Sequence, residues 1–97
     1  MKEKLSHKAD EVSQVLKQLA HPDRLKVLCH LLEGEKTVND LVEYSGAAQS
    51  WVSQFLSKMK LSGLLEARKD GIFVYYKIKD HRLKTLLDGI YRAYCKK

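Results

Sequence analysis

A mainly α fold of five helices with one small β-hairpin is what this chain predicts, and three observations carry that expectation. Apolar residues recur at spacings of three and four in separate stretches, the pattern of helices that each bury one face. Two of those stretches, within 37–61, are joined by a tight Ser45-Gly46-Ala47 turn. Asp70-Gly71 then lies between segments rich in β-branched and aromatic residues, a strong short-range hairpin signal.

Each element has a local cause. Over residues 5–20, Leu5, Ala9, Val12, Leu16 and Leu19 form one narrow stripe, with Lys8, Glu11, Gln14 and Gln18 opposite. A second helix begins at Pro22, whose fixed φ suits a first helical turn, and Asp23 places negative charge at the positive end of the helix dipole. Leu25, Leu28 and Leu32 are its expected core face, and Gly34 its stop. Thr37 can cap a short third helix, with Asp40 three residues on in a pattern close to a capping box. The fourth helix, about 48–61, sets Ala48, Val52, Phe55, Leu56 and Met59 on one face and ends at Gly63. Strands are expected at about 64–69 and 72–78. The last helix, about 81–95, carries a full stripe of Leu83, Leu86, Leu87, Ile90, Tyr91 and Tyr94.

A chain of 97 residues suits one domain, and at that size a lone chain buries a modest share of its surface. The first and last helices each present an apolar face that one small globule struggles to cover. The expectation is therefore a homodimer built on residues 1–20 and 81–95, with Leu5, Val12, Leu16, Leu83, Leu87, Ile90, Tyr91 and Tyr94 at the interface.

The net charge of +6 and pI of about 9.4 point to an anionic partner. The distribution says more, because residues 48–97 hold eleven Lys/Arg against four Asp/Glu. No run of ~18 apolar residues suggests a membrane span. The start, MKEKLSHKADE, lacks the apolar region of a secretory signal, so the expected compartment is the cytoplasm. In a reducing cytoplasm two cysteines are either inert core or redox-active.

Two helices joined by a short glycine-containing turn and followed by a hairpin describe a winged helix-turn-helix. Residues 1–97 would be a single domain, with the helix-turn-helix at 37–61 and the wing at 64–78. With Val52, Phe55 and Met59 inward, ~100° per residue turns Ser50, Ser53, Gln54 and Ser57 outward. Serine can bond base edges or phosphates, and glutamine can pair bidentately with adenine. Lys58 and Lys60 near the helix end, and Arg68 and Lys69 in the hairpin, suit phosphate contacts. A polar solvated face has the same composition, but turn, helix face and basic wing agree on double-stranded DNA. An enzyme is not expected: there is no nucleophile–base constellation and no phosphate-cradling glycine loop, and no cofactor is implied.

From about Val15 to Cys95 the chain resembles the ArsR/SmtB family of bacterial winged-helix repressors. The likeness is carried by AHPDRL in the second helix, QSWVSQFL in the fourth and the DG…VYY hairpin. The resemblance implies a dimer paired through its first and last helices, which releases operator DNA when an inducer binds. It also implies that Gln49, Ser50, Ser53 and Gln54 meet the major groove. Trp51 stands where the family usually has a small residue, Phe55 where it often has His, and Ile72 where a basic residue is common after the wing glycine. Trp51 is expected to alter sequence preference and Ile72 to weaken the wing's grip on phosphate.

Two kinds of inducer are to be weighed. Soft-metal members carry cysteines at the start of the third helix, but Glu35 to Asp40 here holds no Cys or His. Zinc and nickel members use paired ligands along the last helix; here only Asp80, His81 and Asp88 are there, and His7, His21 and His30 are scattered. No dedicated metal site is expected. Cys29 lies on the core side of the second helix and Cys95 at the edge of the last stripe. Spacing alone leaves them as packed hydrophobes or as a pair. Their placement resembles the persulfide-sensing dithiol branch of the family, the BigR-, SqrR- and HlyU-like repressors. That likeness implies a disulfide or polysulfide bridge as the inducing event. A metal-responsive repressor, a constitutive DNA-binding module with structural cysteines, and a winged helix used for protein contacts remain as alternatives.

Overall fold

The computed structural model describes residues 2–95; Met1, Lys96 and Lys97 lie outside it, and with them the last two of the C-terminal cations. Among the described residues are α1 (Lys2–Leu19), α2 (Pro22–His30), α3 (Val38–Ser45), α4 (Gln49–Leu61) and α5 (His81–Tyr94). Three strands, β1 (Lys36–Thr37), β2 (Leu65–Asp70) and β3 (Phe73–Ile78), form an antiparallel sheet in the order β1-β3-β2. No described helix is long and apolar enough to cross a membrane.

Pro22 opens α2 as expected, and the His21 ring adds a cap by accepting the Asp23 N–H at 3.1 Å. The helix tightens into a single 3₁₀ turn, Leu31–Glu33, and Gly34 then takes φ 134, which side chains rarely allow. Its core face differs from the expected Leu25, Leu28 and Leu32. Val27 and Leu28 are fully enclosed and Leu31 nearly so, while Leu25 and Leu32 lie at the rim. The reason is that α2 touches α1, α3 and α5 at once, so its buried arc is wider than one stripe.

The two outer helices divide their apolar residues unequally. In α1 only Leu19 is buried; Leu5 is 62% exposed, and Val12 and Leu16 are open too. Arg82 ties α1 to α5, donating to Glu11 at 3.1 Å and to Asp80 at 3.0 Å. At the far end of α5, Tyr91 is half exposed and Tyr94 is 86% exposed, with Ile90 half-buried. Leu83 and Leu87 correct the expectation for the interface. They are 2% and 0% exposed and belong to the protomer's own core, beside Val27, Leu28, Leu56 and Leu65. A stripe as broad as that of α5 has an inner edge that packs on the body and an outer edge left open.

The hairpin forms in a register the Asp-Gly signal alone does not specify. Asp70 pairs with Phe73, so Gly71 and Ile72 are the two turn residues. Gly71 has φ 63, and among the described residues only glycines take a positive φ, which is the pattern of a turn with glycine first. β1 was not anticipated, because two residues are too short for a pattern; Lys36 and Thr37 pair with Tyr76 and Tyr75. Because Leu87 is enclosed within one protomer, Leu87→Ala is expected to lower stability by about 2–5 kcal/mol, measured as a drop in the urea unfolding midpoint at fixed protein concentration.

Candidate nucleic-acid interface and dithiol

The helix-turn-helix is fixed by short-range bonds at both ends of α3. The Thr37 hydroxyl accepts the Asp40 N–H at 3.1 Å, and the Asp40 carboxylate accepts the Thr37 N–H at 3.0 Å. That capping box satisfies two otherwise orphaned amides. The Thr37 N–H, first among several causes, holds the Asp40 carboxyl below the usual 3.8. At the other end Gly46 turns left-handed at φ 75 and donates to the Val42 carbonyl at 2.8 Å. The Ser45 hydroxyl accepts the Ala47 N–H, closing the turn.

Val52, Phe55, Leu56 and Met59 bury the inner face of α4. Gln49, Ser50, Gln54, Ser57, Lys58 and Lys60 are exposed, and Ser53 is half-buried. Ser53, Gln54, Ser57 and Lys58 line one open groove along the helix. Gln49 and Ser53 also border a hollow shared with Thr37, Val38 and Asn39 at the start of α3 and with Ile72, Phe73 and Val74 of the wing. Asn39 is therefore a polar neighbour of the face that the sequence pattern did not single out. Its place in the first turn of α3 was visible, but its closeness to Gln49 depends on the turn between the helices.

Trp51 and Phe55 do not look outward. Their rings stack at 5.5 Å, Trp51 meets His21 at 5.7 Å, and the Arg24 guanidinium lies 5.6 Å from the Phe55 centroid. These departures from the family pattern pack together between α4 and the start of α2.

The two wing cations fare differently. Arg68 and Tyr75 are register partners on the outer side of the sheet, opposite the inward Leu65 and Tyr76. The Arg68 guanidinium lies 4.5 Å over the Tyr75 ring and donates to the Glu35 carboxylate at 2.9 to 3.1 Å. The same hydrogen bonds are the main reason the Glu35 carboxyl is held low. Arg68 is thus already occupied, which corrects its expected role as a free phosphate ligand; β1 beside β3 is what brings Glu35 to it. Lys69 is paired in register with Val74 and so lies on the face toward α4, exposed.

Cys29 sits half-buried in the last turn of α2, packed against the core. Cys95 is exposed at the end of α5, where its N–H donates to the Tyr91 carbonyl at 2.8 Å. Both thiols are free. Burial pushes the Cys29 thiol above its usual 9.0, and Cys95, near enough for its charge to be felt, pushes it further in the same direction. The helices that carry them, α2 and α5, pack against each other. Among the described residues no group of three or more His, Cys, Asp or Glu is placed to hold a metal ion. His30 instead stacks on Tyr44 at 3.9 Å.

A helix-turn-helix with a polar outer face and a hairpin beside it defines the winged helix-turn-helix class of DNA-binding proteins. Comparison with known proteins narrows the class. The sequence pattern described as bacterial regulatory protein, arsR family, matches residues 21–67. The biofilm growth-associated repressor of Xylella fastidiosa is 33% identical over 94 residues, spanning 97% of this chain and 82% of that one. The crystal structure of the transcriptional repressor BigR from Xylella fastidiosa superposes with a TM-score of 0.90 at 32% identity, covering 100% of this chain and 99% of the other. Reduced HlyU from Vibrio cholerae gives 0.87 at 29% identity, covering 96% and 98%. The chain belongs to the arsR family of bacterial regulatory proteins.

The cap of α3 supports a prediction with a pH signature. Thr37→Ala removes one cap bond and is expected to lower stability by about 1 kcal/mol in urea unfolding. Asp40 has a depressed folded pKa, so its contribution is complete above the ordinary 3.8 and disappears as pH falls through the lower folded value. The stability gap between the protein and Asp40→Asn should accordingly be constant at neutral pH and close in acid.

Proposed function

We propose that the chain is a dimeric transcriptional repressor that holds operator DNA while its dithiol is reduced and lets go when Cys29 and Cys95 are bridged by a disulfide or polysulfide. The observation that carries this reading is that α2, which holds Cys29 in its last turn, packs against α5, which ends beside Cys95. Repression is supported by the Xylella relative, and a redox role agrees with a neighbour described in its reduced form. Double-stranded DNA is the partner that fits Gln49, Ser50, Ser53, Gln54 and Ser57, with Lys58, Lys60 and Lys69 on phosphates. Leu5, Val12, Leu16, Ile90, Tyr91 and Tyr94 supply the apolar surface for the second protomer.

The chemistry follows from exposure. Cys95 is open to solvent, so its thiolate attacks the outer sulfur of a small persulfide, RS–SH. The thiolate RS⁻ leaves and Cys95 carries the transferred sulfur. The Cys29 thiolate then attacks the inner Cys95 sulfur, forming the disulfide and expelling hydrosulfide. If both cysteines first become persulfides, their condensation releases H₂S and leaves a trisulfide, which spans a wider gap. A direct disulfide needs Cα atoms within about 7 Å.

A bridge of either length ties α2 to α5. α2 also packs against α3, and α3 against α4, so the tie bears on the position of the recognition helix. Two such helices must meet half-sites ~34 Å apart, and a coupling of ~1–3 kcal/mol gives useful release. Treating the reduced protein with glutathione persulfide should add sulfur or remove two hydrogens in the intact mass and weaken duplex binding. Cys29→Ser and Cys95→Ser should each keep DNA binding and lose that response. Unchanged mass and unchanged affinity in the treated protein would sink the proposal.

A further inference from the structure

We propose that the wing holds DNA through an apolar apex rather than through charge: Ile72, at the turn between β2 and β3, packs into the minor groove beside the major groove occupied by α4. The inference rests on the DNA-binding reading above and adds a specificity-determining residue to it.

The charges of the wing are largely satisfied within the protein. Arg68 is held by Glu35 and stands 3.8 Å from Asp70, and Lys77 pairs with Glu66 at 3.5 Å. Residues 65–78 contain three cations and two acids, and Glu35 supplies a third acid, so this surface is close to neutral. Lys69 is the wing cation with no carboxylate within ion-pair distance among the described residues. A wing of this kind draws little affinity from counterion release.

Its apex is apolar instead. Ile72 is 92% exposed, more than any other large hydrophobic residue described, and Phe73 beside it is half exposed. Gly71 absorbs the positive φ of the turn, so Ile72 keeps an ordinary backbone and sits at the tip. Single exposed apolar residues are common, so exposure alone decides nothing. Position does: the tip borders the same hollow as Gln49 and Ser53 of α4, the cap residue Thr37, and Val38 and Asn39 of α3. It stands beside the polar helix face, and a duplex seated on that face meets it. Apolar side chains enter the minor groove by wedging against a base step, most easily at flexible pyrimidine–purine steps. Ile72 thus adds a preference for deformable sequence beside the bases read by α4.

The test uses the intact reduced protein and a duplex enriched by it from a random-sequence pool. Affinity is measured from about 50 to 200 mM salt, the range over which phosphate contacts are counted. Ile72→Ser should bind roughly tenfold more weakly, the scale of one buried aliphatic side chain, with an unchanged salt slope. Ile72→Lys should regain affinity at low salt with a slope steeper by about one contact. A 2-aminopurine at the step under the wing should brighten with the parent protein and not with Ile72→Ser. Urea unfolding should show both variants as stable as the parent, since Ile72 makes no core contact. Equal affinity and equal 2-aminopurine signal for Ile72→Ser would overturn the proposal while leaving DNA binding intact. A change confined to self-association in sedimentation would also overturn it, making the apex a contact between copies. If the parent protein shows no salt-dependent duplex binding, the DNA-binding reading fails first and the wedge falls with it.

Discussion

Burial of one face of α4 is the constraint on which the rest of the structure depends. Val52, Leu56 and Met59 are fully enclosed, and Phe55 nearly so. A helix has no freedom to rotate once four such residues are committed inward. The polar side chains between them must then point out, and the groove along Ser53, Gln54 and Ser57 follows from packing rather than from any preference of those residues. The left-handed Gly46 turn and the capping box of α3 set the angle at which α4 arrives. The sheet packs against the end of the same helix, so the wing inherits its position from that core as well.

The elements legible in the sequence are those whose cause is local. Thr37 and Asp40 are three residues apart, and the box they form needs nothing from the rest of the chain. Pro22, Gly46 and the Asp-Gly hairpin belong to the same group, although the hairpin's register had to come from the pairing of the strands. What the sequence could not disclose depends on distant partners. Glu35 and Arg68 are 33 residues apart and meet because β1 lies beside β3. The same holds for the division of the α5 stripe, since Leu83, Leu87, Tyr91 and Tyr94 share one periodicity and differ only in what packs over them. For the polar face of α4, periodicity identified the residues, while the involvement of Asn39 and the wing tip required the turn between helices.

The dithiol combines both kinds of information. The position of Cys29 near the end of α2 follows from helical spacing, and the edge position of Cys95 from the stripe of α5. That their two helices pack against each other is a tertiary fact. The pair is also unequal: one thiol is packed against the core and hard to ionise, the other open to solvent. Under the proposed dithiol switch that inequality would give the chemistry an order, because a reagent would meet the outer thiol first. The exposed cysteine sits at a helix end and the half-buried one in the body against which α3 packs.

Most of α1 touches little of its own protomer. Its 18 residues bury Leu19 alone, and Arg82 is the charged link to α5. Helical stability in proteins comes mostly from packing of an apolar face, so in the proposed dimer the second chain would supply what α1 lacks. In that dimer, ordering of this segment and assembly would be one bimolecular event. Abundance itself would then become an input: the concentration of a dimer rises with the square of the free chain concentration. Under the proposed function, a modest change in synthesis or turnover would be felt as a larger change in DNA occupancy, independently of the cysteines.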